Sequence, residues 1–239
     1  MKAKCFICNN ENLIIRNRYL NSTLFNKKLY SCSSCEFSFL FPLSQEYLED
    51  FYSTEYVKDF NRTLINKDPK EYFKNENNQF RRNRSLRHVN TVKKYKNIKD
   101  KLNILDIGAG LGTTLYYSKK LFKDSKLYAY ENDISMFKYL EEIDTNITTG
   151  SLKNLDNKYF NFFDIIYCSH FIEHISNEEL INFVQILNRI LKKNGILLLE
   201  TPNDNYFKYP LLLNKKPHPH HTIFFSKKSL NKLFKNQKI

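Results

Sequence analysis

Three constellations in this chain hold side chains able to do chemistry. Cys5, Cys8, Cys32 and Cys35 form two Cys-x-x-Cys pairs separated by 23 residues. The stretch "NILDIGAGLGTTL", residues 103–115, spends three of the chain's five glycines, Gly108, Gly110 and Gly112, within five positions, just after Asp106. Of six histidines, all but His88 fall in two short runs: "SHFIEHI", with His170, Glu173 and His174, and "KKPHPHHTIFF", with His218, His220 and His221. Thiolates bind soft metal ions. A glycine loop between strand and helix brings backbone N–H groups close to a ligand. Histidine beside a carboxylate moves protons near neutral pH or holds a divalent ion.

The cysteine spacing points to zinc. Each pair makes a knuckle that aims two thiolates at one tetrahedral ion, and four thiolates leave no position for water, so the Zn2+ is structural. A thioredoxin-type redox motif is the competitor, but it predicts one pair beside a βαβ unit. Cys168, inside the apolar run "FFDIIYCS", reads as a small core residue rather than a nucleophile.

The glycine loop admits two ligand classes, dinucleotides and S-adenosylmethionine. The dinucleotide fingerprint is G-x-G-x-x-G. Here the spacing is G-x-G-x-G, and the fingerprint's third glycine falls on Thr113. Asp106 would repel a pyrophosphate, whereas an ammonium and a sulfonium welcome it. Glu131 closes the next strand, where ribose hydroxyls need acceptors. The loop therefore reads as an S-adenosylmethionine site.

The histidine runs carry three readings. A histidine or Glu173 removes a proton from an attacking hydroxyl; or His170, Glu173, His174 and His221 bind a second divalent metal that lowers the hydroxyl pKa; or these side chains cap and fill a helix end, and the transfer proceeds by proximity alone. The arginine run "FRRNRSLRH", with Arg81, Arg82, Arg84 and Arg87, is a solvated helix face or a clamp on a substrate phosphate.

The elements that must position these groups alternate from residue 101 onward as in a parallel α/β sheet. "LNILDIG", "KLYAYE", "NITTG", "FFDIIYCS" and "ILLLETP" read as strands. "TTLYYSKKLF", "SMFKYLEEI" (capped by Ser135), "NEELINFVQILNRILKK" and "SKKSLNKLF" read as helices. Upstream, residues 1–45 form a zinc-ribbon segment with strands in "KKLYSC" and "EFSFLF". Residues 46–100 form a helical connector that opens at Ser44 and turns at Asp68-Pro69. Residues 101–239 form the cofactor-binding domain. The chain has 239 residues and is 41% hydrophobic, enough for a sizeable core. No apolar run approaches the roughly 20 residues needed to span a bilayer, and "MKAKCFICNNENL" lacks a signal peptide's apolar stretch; a cytoplasmic protein is expected. The net charge of +13 suits an anionic partner. Abundant Lys, Asn, Ile, Phe and Tyr also fit an AT-rich coding sequence.

On "LDIGAGLG", the strand-end Glu131, "FDIIYCSHFIEHI" and "LKKNGILLLETPN", residues 96–235 resemble the class I S-adenosylmethionine-dependent methyltransferases. The resemblance implies that Asp106 contacts the cofactor's amino-acid part and Glu131 its ribose. Where that family often has an acid for the adenine, this chain has "TTGSL", so Ser151 or a backbone carbonyl takes the contact. The segment "CFIC…YSCSSCEFSFLFPLSQEYLEDFYSTEY" resembles the zinc segment of a branch that methylates nucleotide-linked sugars and other surface-glycan precursors. "HFIEH", then "TPN", then a loop histidine resemble metal-dependent 2′-O-methyltransferases of small RNAs, which carry an acid where this chain has His170.

The implied activity is O-methylation of a sugar or phosphorylated small metabolite in surface-glycan biosynthesis. An RNA methyltransferase is the alternative, although no aromatic–basic stacking motif stands out. A truncated, non-catalytic S-adenosylmethionine-binding protein is the third. It arises because the C-terminal antiparallel strand pair of the class I sheet is missing after "SKKSLNKLF". That leaves an open edge for a second copy to cover, or marks a shortened form of a longer parent.

Overall fold

The computed structural model describes residues 3–16, 27–44, 46–48, 50, 68–75, 79–97, 99–203 and 221–237. The helical expectation over 51–67 and the loop histidines His218 and His220 lie outside them. Packing divides the chain into two compact units. One comprises Met1–Phe51, His170–Asn188 and Glu200–Ile239; the other comprises Tyr52–Ser169 and Arg189–Leu199.

In the second unit lie β4 (Asn103–Ile107), β5 (Lys126–Tyr130), β6 (Thr145–Thr148), β7 (Phe163–Ser169) and most of β8 (Leu191–Glu200), in the sheet order β6-β5-β4-β7-β8. β4 pairs in parallel with β5 and with β7, and β5 with β6. Strands built outward from β4 to β6 and then restarted at β7 make a Rossmann-like α/β sheet, whose ligand crevice falls between β4 and β7. The sequence explains the centre. β4 and β7 read as nearly continuous apolar runs, as strands covered on both faces must, and Ile104, Leu105, Ile165, Ile166 and Tyr167 are fully buried. Val89, Val92, Leu115, Phe122 and Leu127 complete that core.

Among the described residues, α1 (Pro69–Asn75) and α2 (Gln79–Lys93) lead into the sheet. Pro69 opens α1 rather than only marking a turn, because proline at a first helical position gives up no needed N–H. The Oδ1 atom of Asp68 accepts from the Glu71 N–H at 3.1 Å. After β4, α3 (Thr113–Leu121) starts at the left-handed Gly112. Before α4 (Phe137–Glu142) a short 3-10 turn (Ile134–Met136) is capped by Asp133, not Ser135. Asp133 Oδ1 accepts from both the N–H and the hydroxyl of Ser135, at 2.9 and 2.6 Å. α5 (Lys153–Lys158) follows β6.

α6 (Leu180–Ile190) is three residues shorter at each end than the stretch "NEELINFVQILNRILKK". Lys192 Nζ donates to both oxygens of Asp164, at 2.9 and 2.8 Å. The Phe162 N–H donates to the Ile190 carbonyl at 2.9 Å. These bonds draw the chain into β8 directly at Leu191. Among the described residues, β8 is the last strand on its side of the sheet.

In the first unit, β1 (Leu13–Ile15), β2 (Lys28–Cys32), β3 (Ser38–Phe41) and β9 (Ile223–Phe224) form an antiparallel sheet in that order. β9 adds residues from beyond the second histidine run to the cysteine segment, with Ser38 opposite Phe224 and Phe39 opposite Ile223. Phe37 packs against Phe39 and Phe225, with ring centroids 5.5 and 5.4 Å apart. Ser44 Oγ accepts from the Tyr47 N–H at 3.3 Å, as an N-cap does. α7 (Lys227–Asn236) opens on a Ser226–Ser229 capping box, and Asn236 Nδ2 donates to the Ile7 carbonyl at 3.0 Å.

Candidate functional site

The glycine loop answers to its backbone. Gly108, Gly110 and Gly112 all have positive φ, at 72°, 52° and 70°, which costs any L-residue about 1–2 kcal/mol. A Cβ on Gly112 would also sit 2.9 Å from Leu140 Cδ2 and 3.1 Å from Ile143 Cδ1, whereas one on Gly110 meets nothing within 4 Å. Gly112 thus serves helix packing, and Gly110 faces open space. Gly112→Ala is expected to lower unfolding free energy by about 2 kcal/mol, checked by urea denaturation; an unchanged midpoint would contradict the strain.

Asp106 and Gly108 line a pocket with Thr113 and Ser169, at the ends of β4 and β7 where the fold predicts a ligand. Asp106 is 5% exposed. Burial first, then the negative charge of Glu131, push its carboxyl up to about 8, while Arg84 pulls the other way. An acid in that state invites a cationic group.

Glu131 follows β5 and grips the loop. Its Oε2 accepts from the Gly110 N–H at 2.7 Å, and its Oε1 accepts from the N–H groups of Asn132 and Asp133, both at 2.9 Å. Burial raises its pKa against those bonds. Oε2, with one donor, keeps lone-pair capacity for a ribose hydroxyl, whereas the two donors on Oε1 occupy both of its sites.

Ser151 is exposed, and its Oγ accepts from the Lys153 N–H at 3.3 Å. Sequence reasoning missed its neighbour Asn132, whose Oδ1 accepts from the Gly150 N–H and the Thr149 hydroxyl, at 2.8 and 3.0 Å. The Tyr130 hydroxyl donates to the Gly150 carbonyl at 2.5 Å. Asn132 directly after the strand-end acid was the available signal.

The arginine run, read from the sequence as a solvated helix face or a substrate-phosphate clamp, reaches the Asp106 pocket. Arg81, Arg84 and Ser85 of α2 line the same pocket as Asp106. Ser85 Oγ lies 3.1 Å from Thr114 Oγ1, tying α2 to the first turn of α3.

In the first unit, Glu173 sits at the centre of the histidines. It is 1% exposed, with His170 Nδ1 3.2 Å and His221 Nε2 4.0 Å from its Oε1. The Thr201 hydroxyl donates to Oε2 at 3.0 Å. The rings of His174 and His221 meet edge to face at 4.9 Å. Burial works to raise Glu173, but the nearby His170 and the fields of His174 and His221 outweigh it and hold the carboxyl below its ordinary range. His170 has φ 55°, its N–H donates to the Glu200 carbonyl at 2.8 Å, and it keeps 37% of its side chain exposed. This is a buried anion orienting a reachable imidazole.

The four thiols of the first unit converge. Cys5 Sγ lies 3.5 Å from Cys35 Sγ, and Cys8 Sγ 3.6 Å from Cys32 Sγ. A disulfide needs about 2.0 Å, while sulfurs about 2.3 Å from one tetrahedral zinc stand about 3.8 Å apart. Asn9 and Glu36, each following a pair's second cysteine, take φ 57° and 66°, which folds both pairs into matching knuckles. Cys5 is lowered to about 5 by its bond from Cys35, whose own thiol that bond and burial raise.

A family model described as a methyltransferase domain matches residues 75–237. The chain belongs to this family and carries a methyltransferase domain. A curated relative, (S)-coclaurine N-methyltransferase from Thalictrum flavum subsp. glaucum, is 26% identical over 117 residues, 47% of this chain and 32% of that protein. The chain thus spans about a third of that relative's length. Among solved structures, a SAM-dependent methyltransferase from Archaeoglobus fulgidus superposes with TM-score 0.52 at 20% identity, covering 70% of this chain and 71% of that one. One from Aquifex aeolicus reaches 0.45 at 17%, covering 82% and 88%. The first likeness shows the Rossmann-like methyltransferase fold. Among the described residues, no helix is long and apolar enough to cross a membrane.

Proposed function

We propose that this protein transfers a methyl group from S-adenosylmethionine to a hydroxyl of a small anionic acceptor, a sugar or phosphorylated metabolite of surface-glycan biosynthesis. The cofactor, when bound, supplies an electrophilic methyl on a sulfonium. Asp106 takes the ammonium, Gly108 and Gly110 admit the ligand to the backbone, Gly112 starts the helix behind it, and Glu131 takes a ribose hydroxyl. The loop at Ser151, braced by Asn132, lies on the adenine side.

The observation that carries the acceptor is the His170–Glu173 pair at 3.2 Å. A hydroxyl must shed its proton as it attacks. Glu173, held ionised, is a weak base but a strong orienter. His170, the residue that follows Ser169 in the chain, receives the proton, and Glu173 stabilises the imidazolium. His221 Nε2 stands 4.0 Å from the same Oε1, with the His174 ring against it, and their fields help keep Glu173 ionised. The +13 charge supports an anionic acceptor.

The test offers methyl-labelled S-adenosylmethionine with a nucleotide-sugar and metabolite extract in one tube and total RNA in another. Label as a methyl ether in the small molecules is expected. Label in RNA would overturn this reading, and no label with cofactor bound would point to a non-catalytic protein.

The four-cysteine cluster supports one structural zinc. Metal analysis of the purified chain should find one equivalent, falling to none in Cys32→Ser; a metal-free wild type would contradict it. One observation favours a second metal reading: Glu173, His174 and His221 bring ligand atoms within 4.8 Å of one another. A second equivalent of divalent ion, lost in His221→Ala, would replace the acid–base role with metal activation of the hydroxyl.

A further inference from the structure

The end of the parallel sheet away from the glycine loop gathers positive charge. Helices of such a sheet run back against the strands, so strand starts and helix ends meet there. Hydrogen bonds join the turns of this end. The Lys126 N–H donates to the Leu102 carbonyl at 2.8 Å, and Asn103 Nδ2 donates to the Phe162 carbonyl at 3.2 Å. Beyond the Phe162–Ile190 bond, Lys96 Nζ donates to the Asn194 carbonyl at 2.8 Å. Lys99, Lys101, Lys123, Lys126, Lys158 and Lys193 are exposed on these turns. Among the described residues of the same turns, the exposed acids are Asp100 and Asp124. Asp164 is engaged by Lys192, and Asp156 accepts from Arg189 Nε and Nη2 at 2.7 and 2.6 Å. Glu141, Glu142 and Asp144 stand before β6, at the far edge of the sheet.

Lysine just behind a helix answers the dipole there, which accounts for Lys123 and Lys158, at the ends of α3 and α5. Lys101 and Lys126 instead lead into β4 and open β5, beyond any helix's last turn. Two aromatic rings stand beside these lysines. Tyr95 is 72% and Phe160 78% exposed, on separate turns of the same end. Phe160 is held rigidly. Tyr159 before it packs against Tyr128, Phe162 and Phe163, with ring centroids 5.5, 5.1 and 4.8 Å away. Asn161 after it takes φ 48° and donates its N–H to the Arg189 carbonyl at 2.8 Å. The fold thus keeps one ring out of an aromatic cluster and in water, a cost that burial against a partner removes.

A partner for this face carries negative charge and accepts isolated rings. An anionic bilayer surface does both, since lysine ammoniums stay among the headgroups while aromatic rings enter that layer. A nucleic acid suits the face less. Its phosphates and bases are gripped by arginine forks and by rings lining a groove. Here Arg189 is bound to Asp156, and the rings sit on separate turns. We propose that this end of the sheet docks the protein on an anionic phospholipid surface, with Phe160 and Tyr95 in the headgroup layer and the lysines against the lipid charges. The glycine loop follows the carboxyl end of β4, at the opposite end of the sheet, so a docked protein keeps its cofactor pocket open to water.

The test is flotation of the full chain with phosphatidylcholine vesicles and with the same vesicles carrying phosphatidylserine. Wild type is expected to float with the second kind alone and to be released by added salt. Lys99→Gln, Lys101→Gln and Lys193→Gln combined should weaken partitioning about 100-fold, and Phe160→Ser about 10-fold. All four side chains are exposed, so these changes leave the fold intact. The chain has no tryptophan, and Phe160→Trp therefore supplies a single reporter, whose emission should shift to the blue on phosphatidylserine vesicles. Wild type left behind by those vesicles would overturn the proposal, and that comparison needs no variant. So would undiminished partitioning of the lysine variant, or emission from Phe160→Trp that stays unchanged as the protein floats. Capture of single-stranded RNA through the same lysines, in place of vesicles, would assign the face to nucleic acid instead.

Discussion

Replacing His170 with alanine lowers kcat by about 10²- to 10⁴-fold while cofactor affinity stays at the wild-type value. The expectation follows from position. Among the described residues His170 is the histidine of this site with an exposed side chain, and it is held three ways: by its left-handed backbone, by its N–H on the Glu200 carbonyl, and by Glu173 3.2 Å from Nδ1. Its other ring nitrogen, Nε2, lies 3.8 Å from Glu200 Oε1, so a hydroxyl that His170 deprotonates must enter beside that carboxylate. Glu173→Gln keeps the shape and removes the charge that steadies the imidazolium. It should lower kcat with little change in KM, because the charge matters only as the proton moves. Unchanged kcat in His170→Ala would mean that proximity and orientation alone carry the transfer.

Asp106→Asn weakens S-adenosylhomocysteine binding about 100-fold at pH 8–9 and abolishes its pH dependence. Burial and Glu131 raise the wild-type carboxyl to about 8, so at pH 7 the unliganded site is mostly protonated. The ligand's ammonium favours the ionised form, so binding expels that proton, and affinity rises about tenfold per pH unit up to about 8 before levelling. Stability moves the other way. An acid whose folded pKa lies above its ordinary value stabilises the fold fully below the ordinary carboxylate range. That contribution is lost as pH rises towards 8. Asparagine copies the neutral form, so the variant should already exceed wild type in thermal unfolding at pH 6 and exceed it further at pH 9, the two converging only at about pH 4. Lower stability at both would show that the affinity loss reflects damage to the fold.

The parts of the site legible in the sequence are those where backbone chemistry restricts residue choice. Three closely spaced glycines announce three positive φ angles, and two Cys-x-x-Cys pairs announce two knuckles, because few other residues serve there. The same reasoning found Asp106 and Glu131, since β4 and β5 must end where their apolar runs end. It could not choose between a solvated face and a phosphate clamp for Arg84, which lines the pocket with Asp106. A basic helix face looks the same whether it meets solvent or a buried carboxylate, and only the tertiary placement of α2 on α3 tells them apart. β9 escaped because "IF" is too short to show alternation, although it adds a strand to the cysteine segment from nearly 200 residues away. Ser135 and Asp133 competed for one cap, and the carboxylate, accepting two bonds from Ser135, prevailed. The early start of β8 turns on Lys192 and Asp164, a pairing across 28 residues that no local period encodes.

The central claim, that the loop from Asp106 to Gly112 holds S-adenosylmethionine, is tested most directly by calorimetric titration of the full chain with S-adenosylhomocysteine at pH 7 in two buffers of different ionisation enthalpy. The account predicts one site per chain and the release of close to one proton, because Asp106 enters neutral and leaves ionised. Absence of binding, or binding without proton release, would contradict it.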